Sequence, residues 1–133
     1  MLRMVLIVLG IFLFQNKAAA VSVDTEEGLK AELQKEEGDN VIEISKNMEM
    51  SGDLGKAGRP SLTIDGGGNL IDGKSHAGFS VGKGQDFSLL NTEMQNFSAL
   101  FGGVVNNQGK METVNGDFSV NSAKGSGGVI YNT

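Results

Sequence analysis

From Val41 onward, apolar and polar residues alternate with a period of two. Val41-Ile42-Glu43-Ile44 and Met48-Glu49-Met50 carry the one-in, one-out pattern of half-buried strands. Ser61-Leu62-Thr63-Ile64 and Asn69-Leu70-Ile71-Asp72 are two more short strands, separated by Asp65-Gly66-Gly67-Gly68. Asp53 to Pro60, with its glycines and the only proline, is expected to be a loop. Upstream the period changes. Asp24 to Glu37 is expected to be the one helix, with Asp24-Thr25-Glu26-Glu27 placing a cap candidate and acidic residues at the dipole's positive end. Leu29 and Leu33 then share one face, and Gly38-Asp39-Asn40 ends the segment.

A longer period overlies the short one. Gly102-Gly103-Val104-Val105-Asn106-Asn107 recurs 25 positions later as Gly127-Gly128-Val129-Ile130-Tyr131-Asn132, and Ala77-Gly78-Phe79-Ser80-Val81 is a looser third copy. Rows 77–101, 102–126 and 127–133 align without a gap, which places Gly84 over Gly109, Leu89 over Val114 and Asn96 over Asn121, with Ile64 over Leu89 one row earlier. A fixed period of this length marks a solenoid. Each row would make one turn, and equivalent strands of successive turns would pair in parallel. Inward stacks are expected at Phe79, Val104 and Val129 and at Leu89 and Val114, with glycine and asparagine at corners that need left-handed backbone angles. The helix would cover the open strand edge at the first turn. Tyr131-Asn132-Thr133 stands one phrase into a fresh turn, so the chain is expected to be truncated.

The N-terminus changes where such a solenoid would reside. Arg3, the 11-residue apolar run Met4–Phe14 and Ala18-Ala19-Ala20 read as a signal for export over residues 1–20, cleaved after Ala20. The run is short of the roughly 20 residues a spanning helix needs, although an uncleaved anchor or a buried helix stays open. Removing residues 1–20 lowers Lys+Arg from 11 to 9 against 16 Asp+Glu, leaving −7 on residues 21–133. With no basic cluster to offset that charge, nucleic acid is excluded as a partner, and no basic helix points to anionic lipid. The absence of cysteine removes disulfides, thiolate chemistry and Cys-type metal sites. With no tryptophan, one tyrosine and 20 glycines, the composition suits stacked turns better than a compact globular core.

Phe118-Ser119-Val120-Asn121 followed by Gly127-Gly128-Val129-Ile130 resembles the paired FxxN and GGA(I/L/V) motifs of polymorphic outer-membrane protein repeats. Leu62–Gly73 resembles the lead-in to such repeats, and the helix followed by Asp39-Asn40-Val41-Ile42-Glu43-Ile44 resembles the start of their passengers. The resemblance covers most of residues 25–133. It implies an all-β, right-handed parallel β-helix with a short N-terminal capping helix, as in bacterial autotransporter passenger domains. The third motif position is valine rather than alanine, Met94-Gln95-Asn96-Phe97 degrades the upper FxxN, and the sequence contains no C-terminal barrel. Outer-membrane association would therefore require a barrel or partner supplied elsewhere.

The candidate chemistry is sparse. Asp53, Asp65 and Asp72 are the best oxygen ligands for a hard cation, yet Asp before Gly is equally explained by turn geometry, and no Gly-Gly-x-Gly-x-Asp phrase occurs. Asp72, Ser75 and His76 contain the atoms of a nucleophilic triad, but Ser75 and His76 are adjacent and their side chains diverge on an extended strand. A glycan-cleaving enzyme needs carboxylates in register on neighbouring turns. The gapless alignment offers none: Asp65 meets Leu90, Asp72 meets Phe97, and only Thr92 over Asp117 comes near, with Arg59 the one arginine beyond the signal. Gly82-Lys83-Gly84 and Gly66-Gly67-Gly68 complete no phosphate-loop phrase, and Asn96-Phe97-Ser98 is a coincidental sequon. Phe97, Phe101 and Phe118 are either stacked core or an exposed aromatic patch, with core favoured. No catalytic, metal or cofactor residue is assigned. The expected role is an exported cell-surface segment, secreted or at the outer membrane, binding an unidentified host or cell-surface protein or glycan without catalysis. The alternatives are a fragment of a secreted β-helix polysaccharide-active enzyme and the remnant of a broken gene.

Overall fold

The structure, a computed structural model, describes residues 19–133. The signal segment lies outside these residues as far as residue 18. Ala20, its expected last residue, falls in the first strand and pairs with Val41.

The chain forms a parallel β-helix of about five turns. The first sheet runs in the order β1 (Ala20–Val23), β2 (Val41–Ile44), β5 (Ser61–Asp65), β8 (Asp86–Leu90) and β12 (Lys110–Val114). A second sheet stacks β3 (Met48–Glu49), β6 (Leu70–Asp72), β9 (Glu93–Gln95) and β13 (Asp117–Ser119). The third stacks β4 (Gly55–Lys56), β7 (Phe79–Val81), β11 (Val105–Asn107) and β15 (Ile130–Asn132). In the last two turns β10 (Ser98–Phe101) and β14 (Ser122–Ser126) pair between the second and third sheets. All these pairings are parallel, so one turn of the chain delivers each strand beside its equivalent in the previous turn.

The alternation read along the chain fills a narrow interior. Ile42, Ile64 and Leu89 stand in one column, and all three are fully buried. Leu62, Phe87 and Met111 form the next column, and Met48, Ile71, Met94 and Phe118 run down the second sheet. Phe79 and Phe87 meet across the interior with ring centroids 5.0 Å apart. Burying one such side chain contributes about 1.5–3 kcal/mol, which is how a chain without cysteine or tryptophan holds its turns together.

Register differs from a gapless 25-residue repeat. Ile64 does lie over Leu89, but Phe79 lies over Val105 and then Ile130, and Leu89 lies over Thr113. Val104 and Val129 are one residue out of that column, although Val104 is buried at the bend and Val129 packs against the core. Val114 pairs with Leu90 and is 43% exposed. Asn96 lies beside Val120, since Gln95 pairs with Ser119, and Gly109 sits beside Gln85, since Lys110 pairs with Asp86. The reason is mechanical. Hydrogen bonding locks register strand by strand, while corners between strands and an irregularity within β10 and β14, between Ala99 and Phe101, gain or lose single residues.

Two local expectations also change. Asp53–Pro60 contains strand β4, whose Gly55 and Lys56 pair with Phe79 and Ser80. The helix α1 covers Glu26–Gln34, shorter than Asp24–Glu37. Thr25 caps it by accepting a 3.0 Å hydrogen bond from the Gly28 N–H, while Glu36 and Glu37 would lie at the negative end of its dipole had it continued.

The helix closes the first turn. Leu29 and Leu33 are fully buried in the core, and the Glu26 carboxylate accepts from the Ser51 N–H and hydroxyl, each at 2.8 Å. At the other end Arg59, 3% exposed, donates to the Glu32 carbonyl at 2.7 Å and to the Glu32 carboxylate at 3.1 Å. Arg59 is thus a structural pin under the helix C-terminus.

Glycine forms a ladder of its own. The Gly55 N–H donates to the Gly78 carbonyl, that of Gly78 to Gly103, and that of Gly103 to Gly127. The repeated Gly-Gly phrase is the bend between β10 and β11 and between β14 and β15. Gly102 has φ +65°, and a Cβ there would lie 2.1 Å from the Val105 carbonyl oxygen. Gly102→Ala is therefore expected to destabilise the protein by at least about 2 kcal/mol, read as a lowered urea midpoint.

A second prediction concerns acid. Burial raises the Glu26 pKa, but hydrogen bonds from Lys30 and Ser51 and the Lys30 charge outweigh it and bring the group from 4.5 down to about 2. A depressed folded pKa stabilises above 4.5, and that contribution is lost as pH falls toward about 2. Glu26→Gln should flatten the fall of the urea midpoint across this window. An unchanged slope would remove Glu26 as its source.

Candidate functional site

The Gly-Gly bend that turns the chain inward leaves a concavity on its outer side. It is lined by Ala77, Ala99, Leu100 and Phe101 and by the polar side chains of Asp53, Ser80 and Asn106. Gly55, Gly78 and Gly102 lie along the bend itself, and the resulting groove holds about 360 Å³. It runs across the strands, parallel to the axis of the solenoid. Ser80 is paired with Asn106, and Asn106 with Tyr131, so three outward side chains share one row on successive turns. Phe101 stacks on Tyr131 with centroids 4.7 Å apart.

Apolar surface meets solvent in this groove. Leu100 is 61% and Phe101 37% exposed, two of the four large apolar side chains exposed among the described residues. The three phenylalanines therefore divide: Phe97 is fully buried, Phe118 packs partly against the core, and Phe101 lies in the open. Asn121, the last residue of the FxxN phrase, accepts a 2.8 Å hydrogen bond from the Phe97 N–H and donates to the Met94 carbonyl at 3.1 Å. Its amide ties one turn to the turn before it and is structural.

The carboxylates proposed from sequence are spent on corners. Asp65 accepts from the Gly67 N–H at 3.0 Å and from the Asn91 amide at 3.3 Å, and Asn115 donates in turn to Asn91. Asp72 accepts from the Lys74 N–H and from the amides of Asn96 and Gln95. Burial raises its pKa, but these bonds and the Lys74 charge leave it below its usual value. Asp53 accepts from the Ala77 N–H at 2.8 Å. Among the described residues, no three His, Asp or Glu side chains converge as a metal site would require.

The triad atoms do not assemble. His76 Nδ1 lies 3.9 Å from Asp53, a residue of the previous turn, and Ser75 sits at φ +71° with its N–H donating to the Asn96 carbonyl. The true register does create a pair that a gapless alignment hides. Asp72 pairs with Gln95, not Phe97, and Glu93 pairs with Asp117. Both Glu93 and Asp117 are exposed, side by side on an outer face flanked by Asn91 and Asn115. The one-residue difference between 24 and 25 concealed them. The groove was hidden for another reason, since Leu100, Asn106 and Tyr131 converge only through stacking of turns.

No family model, curated protein or solved structure matches the chain. Among the described residues no helix is long and apolar enough to cross a membrane.

One corner carries a measurable strain. Val120 has φ +55° and is 77% exposed, whereas its neighbour in register, Asn96, has φ +59°. Asparagine tolerates this conformation and a β-branched residue does not. Val120→Asn is expected to raise stability by about 1 kcal/mol in a urea titration, and a loss of stability would contradict the strain.

Proposed function

We propose that the chain is an exported, cell-surface β-helical segment that binds a ligand without catalysis, in the manner of an autotransporter adhesin passenger. The observation that carries this reading is the groove beside the Gly-Gly bend, where Leu100 and Phe101 are exposed next to Asp53. The stacked turns supply a stiff support, and the groove supplies a surface on which one ligand can touch several turns. The export signal read at residues 1–20 and the repeat phrases support display outside the cell.

A polysaccharide-active enzyme is the second reading, and Glu93 beside Asp117 is the observation in its favour. Both side chains are exposed on an outer face, so binding is the better account.

The test is expression of the full chain in a Gram-negative host. The protein is expected outside the cytoplasm, and beads coated with it should adhere to epithelial cells, with adhesion reduced severalfold by Phe101→Ser. Cytoplasmic retention would sink the display reading. Release of reducing ends from polysaccharide that disappears in Glu93→Gln would replace binding with hydrolysis.

A further inference from the structure

We infer that the groove beside the Gly-Gly bend is the place of a strand that one turn lacks. It takes an extended, basic segment of a partner protein, which pairs with the free edge of β10. This rests on the reading of the groove as a binding surface and adds the chemical class of what it binds.

Chain length around two successive turns gives the first argument. The Ser98 N–H donates to the His76 carbonyl, and the Gly78 N–H donates to the Gly103 carbonyl. Between these two ties the earlier turn has one residue, Ala77, and the later turn has four, Ala99 to Gly102. β10 therefore has no strand beneath it. It pairs only with β14, and among the described residues no backbone hydrogen bond joins Ala99–Gly102 to the earlier turn. The groove follows that unpaired side, lined by Ala77 and Gly78 from the earlier turn and by Ala99–Gly102 from the later one. At about 3.3 Å per residue, such an edge accepts roughly three or four residues of an extended ligand.

Backbone chemistry selects the class of ligand. An unpaired strand edge presents N–H donors and C=O acceptors, and an extended peptide returns both at the same spacing. Exposed edges are commonly blunted by charge or proline. β14 reads Ser-Ala-Lys-Gly-Ser and carries Lys124, whereas β10 reads Ser-Ala-Leu-Phe, with neither charge nor proline. The irregularity between Ala99 and Phe101 interrupts this edge but puts no charge on it. Leu100, 61% exposed, offers apolar surface to a side chain of the incoming segment.

Charge narrows the class further. Asp53 is the one ionisable residue lining the groove, and the chain as a whole carries −5. Its Oδ1 accepts from the Ala77 N–H at 2.8 Å and lies 3.9 Å from His76 Nδ1. The side chain is 68% exposed, which leaves Oδ2 to face a lysine or arginine of the ligand. An acidic segment would be repelled, and so would a second copy of this acidic chain.

The test titrates the full chain into a fluorescein-labelled peptide of alternating lysine and valine, about eight residues long, followed by anisotropy. One control replaces lysine with glutamate. A second is methylated on all its backbone nitrogens, so it keeps every side chain and charge but donates from neither edge. Saturable binding is expected for the basic peptide, weakened about tenfold or more in both controls. Amide hydrogen exchange across residues 98–102 should slow when the peptide is bound. Ala77→Gln, which fills the slot, should weaken binding about tenfold, with far-UV circular dichroism unchanged. Asp53→Asn, which keeps an acceptor for the Ala77 N–H but removes the charge, should weaken it severalfold. Absence of saturable binding, equal binding by the methylated copy, unchanged exchange at 98–102, or undiminished binding by both variants would overturn the inference. Slow exchange there before peptide is added would also overturn it, assigning the edge to a second copy if it fades on dilution and to the chain itself if it does not. Cell adhesion that persists when every peptide fails would reject the peptide while leaving the adhesive role standing. Peptide binding by a chain that never leaves the cytoplasm would keep the slot and reject surface display.

Discussion

Everything in this molecule depends on parallel, in-register hydrogen bonding between successive turns. Each strand finds its partners only after the chain has completed a circuit, so no turn stands alone and the core exists only as columns. A one-residue slip in a strand would move its apolar set to the outer face, and burial of those columns is what penalises the slip. Loop lengths can therefore vary at corners while the columns stay intact. The offset between paired residues runs from 21 at Ala20 and Val41 to 26 at Phe79 and Val105 without interrupting a sheet.

Corners supply the other half of the design. Backbone that reverses direction inside a close stack needs left-handed angles and close approach, and the chain meets both with glycine and asparagine. Asn91 and Asn115 occupy positive φ and hydrogen-bond to each other, which converts a conformational need into a contact between turns. Glycine is required where backbone meets backbone, as at Gly103, whose Cβ would stand 2.4 Å from the Gly128 carbonyl. The carboxylates of Asp65 and Asp72 serve the same purpose, accepting from N–H groups and amides that corners leave without a strand partner. What resembles scattered acidic chemistry in the sequence is mostly corner support.

The same bend that shapes the backbone shapes the surface. A chain folding sharply inward between two strands must leave a recess on its outer side, and small residues at Ala77, Ala99 and Gly102 keep that recess open. The proposed recognition surface thus lies on the repeat itself rather than on an inserted loop. The proposed binding role follows from this placement, since a recess that crosses turns lets one ligand touch several of them.

The sequence by itself determined the class of fold. Alternation along Val41–Ile44 and Ser61–Ile64, the cap at Thr25 and the recurring Gly-Gly phrase are local signals, set by side-chain direction and backbone freedom within a few residues. They were legible because the same local physics operates before and after folding. Register was not legible, because it depends on corner lengths and on which apolar set the interior accepts, and both are settled only when turns stack. That is why Val120, not Asn121, stands beside Asn96, and why Glu93 meets Asp117. The groove is likewise a product of stacking. Asp53, Ala77, Phe101 and Asn106 come from three different turns, and only the tertiary structure, by laying those turns a strand's width apart, brings them to one surface.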